Sequence, residues 1–242
     1  MLLVTLHGFW GKGDDLAPLA EELCRQKLID DWWGPNLIEP GILGPDLEFD
    51  KWTESFVSEI KRRAQGEEVM ALGYSLGGRL LLHAISSHQD HFSKAIIVSA
   101  QVELKTSEEI HCRKLWELNW CLAFKTKNWE EIWRDWNHME VLSGSYQRVL
   151  PIEESFSREY LGKALKIWSP TRHSIKIQDF EAFAKPLLWI AGQRDLKYSE
   201  IYQRFRQNDK LGAVKIVANA GHRVHLDQPE AFTQLVSQFV GA

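Results

Sequence analysis

Val69-Met70-Ala71-Leu72-Gly73-Tyr74-Ser75-Leu76-Gly77-Gly78 is the stretch that decides how this chain is read. Residues 69–73 form an uninterrupted apolar run, as a strand buried on both faces does. From Leu76 an apolar helical pattern continues to Ile85. Between the two, Gly73-Tyr74-Ser75-Leu76-Gly77 supplies glycines on either side of a serine. They allow a sharp turn and close backbone approach, which leaves the serine hydroxyl exposed at a helix N-terminus. Working outward, residues 2–6, 94–100, 186–191 and 214–218 read as further buried strands. Helical patterns lie between them. One opens at Asp14-Asp15, with Leu16, Leu19, Ala20 and Leu23 on one face; another covers residues 51–64, with Trp52, Phe56 and Ile60 in register. A last one starts at Pro229, with Phe232, Leu235, Val236 and Phe239 at helical spacing. Residues 32–45, broken by Gly34-Pro35, Pro40-Gly41 and Gly44-Pro45, read as a loop. Short buried strands alternating with helices predict an α/β fold, a mostly parallel sheet covered by helices on both faces.

That alternation stops near Val102. From there to Ile177 the pattern is helical and polar, and it holds Trp116, Trp120, Trp129, Trp133, Trp136 and Trp168, six of the 11 tryptophans. The expectation is a helical cap, residues 102–178, inserted between two parts of one α/β core, residues 1–101 and 179–242. A length of 242 residues suits one such domain with its insertion. Hydrophobic residues at 44% and charged residues at 26% exclude a disordered chain. A net charge of −4 gives no reason to expect nucleic acid or an anionic membrane as partner. Cys24, Cys112 and Cys121 have neither metal nor redox spacing, which fits a reducing compartment. No apolar run approaches the ~20 residues that span a bilayer, and the N-terminus lacks a basic leader region. The chain therefore reads as cytoplasmic, with a monomer as the default. His88 and His91 flank Asp90 at a helix end and lack further ligands, so no metal is expected there.

A serine nucleophile needs a base, and the base needs an orienting carboxylate. Gly192-Gln193-Arg194-Asp195 follows the strand ending at Ala191, and Gly221-His222 follows the strand ending at Ala218. Both project from the sheet edge that carries Ser75, so Ser75, Asp195 and His222 form the expected catalytic set. Asp209 and Asp227 are rival acids that follow no strand closely. His225 is a rival base that lies a helical turn beyond the strand end and reads as a surface residue. The loop His7-Gly8-Phe9-Trp10 has the position of an oxyanion-hole loop, with the N–H groups of Phe9 and Leu76 as its donors.

With these motifs in place, the whole chain resembles the α/β-hydrolases, whose triad runs in the order Ser, Asp, His. More narrowly, it resembles the synthases that make 2-succinyl-6-hydroxy-2,4-cyclohexadiene-1-carboxylate in menaquinone biosynthesis. The resemblance rests on Leu6-His7-Gly8-Phe9, on Gly73-Tyr74-Ser75-Leu76-Gly77-Gly78-Arg79 and on residues 189–198, Trp-Ile-Ala-Gly-Gln-Arg-Asp-Leu-Lys-Tyr. It extends to residues 221–230, Gly-His-Arg-Val-His-Leu-Asp-Gln-Pro-Glu. Arg79 and the pair Lys197-Tyr198 are more particular to these synthases than the triad. The chain departs from them in opening at what would be the third strand of the full fold. It also departs in reading Glu39-Pro40-Gly41-Ile42-Leu43-Gly44 where relatives show Asp-Leu-Pro-Gly-His-Gly.

The resemblance implies a lyase that eliminates pyruvate from a small-molecule polycarboxylate without a cofactor, its triad serving as a proton-abstracting base. It implies substrate contacts from Tyr74, Arg79, Arg113, Trp136 and Arg158. Arginine suits such a substrate, because its planar fork matches a carboxylate bidentately. The other function the same triad would serve is a carboxylesterase or another serine acyl hydrolase, which would need a more apolar pocket.

Overall fold

The computed structural model describes residues 1–100, 102–146 and 148–242. Gln101, expected as the last residue of the first core segment, lies outside the described residues.

Six strands form one sheet: β1 (Leu2–Leu6), β2 (Asp31–Trp33), β3 (Val69–Tyr74), β4 (Lys94–Val98), β5 (Leu187–Gly192) and β6 (Ala213–Val217). Their spatial order is β2-β1-β3-β4-β5-β6, and every neighbouring pair is parallel. All residues of β1, β3 and β5 are buried, which is why these strands read as continuous apolar runs rather than as alternation. β2 was expected to be loop. It pairs Leu2 with Asp31 and Val4 with Trp33, a three-residue edge strand too short and too polar to leave a periodic signal.

The helices of the core are α1 (Ala17–Arg25), α2 (Phe49–Ala64) and α3 (Leu76–Ser87), followed after the insertion by the rest. Successive strand residues point to opposite faces. Leu3, Met70, Leu72, Ile96 and Ile190 pack with Leu16, which precedes α1, and with Leu19 and Leu23 of α1 on one face. Leu2, Val4, Leu6, Ala71, Ile97 and Trp189 pack with Trp52, Phe56 and Ile60 of α2 and with Leu80 and Leu81 of α3 on the other. The chain thus leaves β1 toward one face and β3 toward the other. Connections that part in this way open a crevice at the carboxyl ends of the two strands, where His7 and Ser75 lie.

Between β4 and β5 come α4 (Ser107–Thr126), α5 (Trp129–Asn137) and α6 (Arg158–Ile167). Their starts are local and legible. Thr106 and Glu109 make a capping box on α4, and Asn128 caps α5 by accepting from the Glu131 N–H at 2.8 Å. The insertion is fastened to the core by aromatic packing. Trp10, a non-glycine residue at φ 64 just after β1, sits edge-on to Trp129 at 5.0 Å, Trp133 at 5.5 Å and Phe156 at 5.5 Å. Trp168 does not join that cluster: it is fully buried, packs edge-on to Trp52 at 6.3 Å and donates from Nε1 to the Leu47 carbonyl at 2.9 Å.

The chain ends with α7 (Leu196–Phe205), the single-turn α8 (Val224–Asp227) and α9 (Pro229–Gly241). Among the described residues no helix is long and apolar enough to cross a membrane.

Candidate active site

Ser75 occupies the turn between β3 and α3 with φ 51 and ψ −107, a left-handed conformation unusual for a residue with a side chain. Such a residue carries about 1–3 kcal/mol of strain, sustained by the surrounding structure. Here the Ser75 N–H donates to the Val98 carbonyl at 2.8 Å, and its own carbonyl accepts from the Arg79 N–H at 3.1 Å. Glycine is obligatory at position 77, where a Cβ would run into the carbonyl oxygens of Leu6 and His7. That close contact is made by the Gly77 N–H, which donates to His7 O at 3.1 Å and locks the serine turn to the end of β1.

The loops after β5 and β6 bring the two expected partners to this turn. His222 Nε2 lies 3.1 Å from Ser75 Oγ, and His222 Nδ1 lies 2.7 Å from Asp195 Oδ2. Asp195 is 2% exposed and also caps α7, accepting from the Tyr198 N–H at 3.4 Å. Two backbone bonds hold the β5 and β6 loops together, Gln193 N–H to Val217 O at 2.9 Å and Arg194 N–H to Ala220 O at 2.8 Å. With the carboxylate on Nδ1, that nitrogen carries the proton and Nε2 is left to accept one from the serine hydroxyl.

The rivals lie elsewhere. Asp209 is exposed at the start of a single helical turn. Asp227 accepts from the N–H groups of Gly221 and Tyr146, so it braces the histidine loop from beneath. His225, expected at the surface, is buried. α8 turns inward, placing its ring edge-on to Tyr74 at 4.6 Å, and burial takes its pKa down to about 3.

The proposed oxyanion loop is fixed by a residue that sequence reasoning quoted without assigning it a role. His7 donates from Nδ1 to Gly8 O at 2.8 Å, and its Nε2 accepts from the Leu37 N–H at 2.9 Å. Both nitrogens are thus used in the neutral state, and burial keeps the ring neutral by lowering its pKa. Phe9 follows, and Leu76 is the first residue of α3, where no carbonyl of the same helix can take up its N–H. Among the described residues neither N–H donates to another protein group.

Ser75 and His222 open into a cavity of about 590 Å³ between the sheet edge and the insertion. Tyr74, Arg79, Arg113 and Trp136 line it, as do Lys197, Tyr198 and Arg223. Arg79 donates from Nη1 to Trp168 O at 2.8 Å, and burial, with the like charge of Arg113 second, lowers its pKa to about 10. Arg113 lies over the Trp116 ring at 4.2 Å and donates from Nε to Glu117 at 2.6 Å. Trp136 stacks on Phe9 at 4.5 Å, and burial pushes the Tyr74 phenol upward.

Arg158, expected as a substrate contact, does not line this cavity. It starts α6, and its guanidinium is taken up by Glu153 at 2.6 Å and by the carbonyls of Phe124 and Lys127. Arg148 and Arg172 are likewise held by Asp15 and Glu48, and Arg134 is exposed beside Asp135. Arg223 carries no signal of its own in the sequence. Only its place after a buried sheet-edge histidine could have marked it.

A family model described as the alpha/beta hydrolase family matches residues 3–235. The chain is 24% identical over 246 residues to a Yersinia enterocolitica protein named 2-succinyl-6-hydroxy-2,4-cyclohexadiene-1-carboxylate synthase, covering 98% of this chain and 86% of that one. Among solved structures, MenH from S. aureus superposes with a TM-score of 0.85 at 20% identity, covering 100% of this chain and 93% of that one. A thermophilic esterase from Thermogutta terrifontis superposes with a TM-score of 0.73 at 17% identity, over 100% and 89% of the two chains. At such identities the structural likeness is one of fold.

Proposed function

The chain belongs to the alpha/beta hydrolase family, and from that premise we propose that it is the menaquinone-pathway lyase. It would convert 2-succinyl-5-enolpyruvyl-6-hydroxy-3-cyclohexene-1-carboxylate into 2-succinyl-6-hydroxy-2,4-cyclohexadiene-1-carboxylate, releasing pyruvate. The observation that carries this reading is the pair of arginines, Arg79 and Arg113, turned into the cavity that holds Ser75 and His222. A pocket for neutral acyl chains has no use for two arginines in its lining, whereas one for a polycarboxylate does. The names of relatives such as the Yersinia enterocolitica synthase support the same substrate.

The mechanism follows from the row of hydrogen bonds. His222, held in one tautomer by Asp195, takes the Ser75 proton, and Ser75 Oγ removes a carbon-bound proton from the substrate. The electron pair builds negative charge on a substrate oxygen, which the Phe9 and Leu76 N–H groups receive. As that charge returns, a double bond forms in the ring and the bond to the enolpyruvyl oxygen breaks. The leaving enolpyruvate takes up a proton and departs as pyruvate. Ser75 stays free of any covalent bond to the substrate throughout.

A second reading, a serine acyl hydrolase, is favoured by the same serine geometry and by the fold likeness to the Thermogutta terrifontis esterase. The test is to supply the enolpyruvyl substrate and follow pyruvate release beside a panel of p-nitrophenyl esters. Fast pyruvate release with poor ester turnover is expected. Ester turnover without pyruvate release, or a substrate-derived ester trapped on Ser75, would return the protein to the acyl-transfer class.

A further inference from the structure

Most arginines of the insertion and its borders have a carboxylate of their own: Arg113 has Glu117, Arg148 has Asp15, Arg158 has Glu153 and Arg172 has Glu48. Arg223 is different. It is 5% exposed, it lines the cavity directly after His222, and its Nη groups donate to neutral acceptors. These are Tyr146 O at 2.7 Å and Asn137 Oδ1 at 2.8 Å. Among the described residues no carboxylate lies within ion-pair distance of it. Neutral acceptors orient a guanidinium without neutralising it, and a buried charge with no counter-ion is unfavourable. Tyr74 and, from beyond ion-pair distance, Asp227 also act on the guanidinium, and the two bonds to the insertion use two of its five N–H donors, which leaves donors for a further partner. An arginine aimed in advance by fixed acceptors, buried and open to a cavity, is a ready receptor for a planar anion.

We propose that Arg223 binds a carboxylate of the substrate beside the Ser75–His222 pair, completing with Arg79 and Arg113 a three-cation receptor for a tricarboxylate. This rests on the substrate class inferred above. It assigns the third arginine of the receptor to the histidine loop and not to α6, where Arg158 lies outside the cavity lining and is occupied by Glu153. The competing role for Arg223 is a strut, because both of its acceptors belong to the insertion while Arg223 itself belongs to the core.

Three variants separate receptor from strut, read by pyruvate release and by calorimetric binding of propane-1,2,3-tricarboxylate as a probe. Arg223→Gln should raise KM about 10- to 100-fold with a much smaller change in kcat, and should weaken tricarboxylate binding by a similar factor. Arg223→Lys should recover part of both. Asn137→Asp is the decisive variant. It keeps the tie to Arg223 and turns it into an ion pair, at the loss of the Asn137 Nδ2 hydrogen bond to the Trp133 carbonyl, so a strut would still hold in a folded protein. A receptor would be quenched, with KM and tricarboxylate Kd rising in a protein that melts cooperatively as the wild type does. Wild-type binding and KM in Asn137→Asp, or in a folded Arg223→Gln, overturn the proposal. If wild-type protein releases no pyruvate yet binds the tricarboxylate in an Arg223-dependent way, the receptor stands and the reaction assigned above fails. If it releases pyruvate normally with Arg223 replaced by Gln, the reaction stands and the receptor fails.

Discussion

Replacing Arg79 with methionine is expected to leave the protein about as stable and far less active. Burial, with the like charge of Arg113 second, takes the Arg79 guanidinium from 12.5 down to about 10. At 1.36 kcal/mol per unit, that shift sets about 3 kcal/mol against the charged form in the folded state. The sign is that of a base whose folded pKa is lowered: the cost is fully present wherever both states are protonated, which includes pH 7. Water at the cavity screens part of it, and methionine forfeits the charge-assisted hydrogen bond to the Trp168 carbonyl, about 1.5–3 kcal/mol. The stem of methionine preserves most of the packing. The two sides offset to within about 1 kcal/mol, or about 4 °C in melting midpoint for a chain of this length. The same substitution removes a charge-assisted hydrogen bond to the substrate, so kcat/KM for pyruvate release should fall about 10- to 150-fold. Calorimetric melting in a non-coordinating buffer and a coupled pyruvate assay read both halves. An Arg79→Met protein destabilised by about 3 kcal/mol or more would refute the electrostatic argument, and one with wild-type kcat/KM would remove Arg79 from the substrate site.

Ser75→Ala, His222→Ala and Asp195→Asn should each lower kcat by similar factors of about 10³ or more, with the Ser75→Ala/His222→Ala double variant little worse than either alone. Strictly additive losses in single-turnover assays would contradict a row acting as one unit. Arg158→Ala should leave kcat/KM within about threefold while costing about 1 kcal/mol, since its half-exposed guanidinium is spent on Glu153 and two carbonyls. A large rise in KM there would restore Arg158 to the pocket. Acid should destabilise the fold well before the carboxylates titrate. His225 and His83 are lowered to about 3 and about 4, chiefly by burial, so between those values and 6.5 the unfolded chain binds protons that the folded one refuses. The pair should cost about 3–4 kcal/mol on going from pH 7 to pH 5, and urea midpoints that stay level over that range would show the rings to be solvated.

The core was legible because its signals are local. A strand buried on both faces needs only an unbroken apolar run, and residues 2–6, 69–74 and 187–192 each present one. The serine turn was legible for a similar reason: Gly77 must be glycine because its Cα meets the end of β1, and that demand is written into adjacent residues. β2 escaped notice because a three-residue edge strand is specified by pairing with β1 and not by its own pattern.

By itself, then, the sequence determined the parallel sheet, the helical interruption after β4 and the order in which serine, acid and histidine reach one sheet edge. The tertiary structure decided which cations face the cavity. Arg148 is neutralised by Asp15 across 133 residues and Arg172 by Glu48 across 124, while Arg223 donates to the Asn137 amide across 86 and to the Tyr146 carbonyl across 77. It also decided that His225 turns inward against Tyr74. The physical reason is range. Hydrophobic periodicity is a property of consecutive residues, whereas the fate of a long charged side chain depends on which counter-charge the fold brings within about 4 Å.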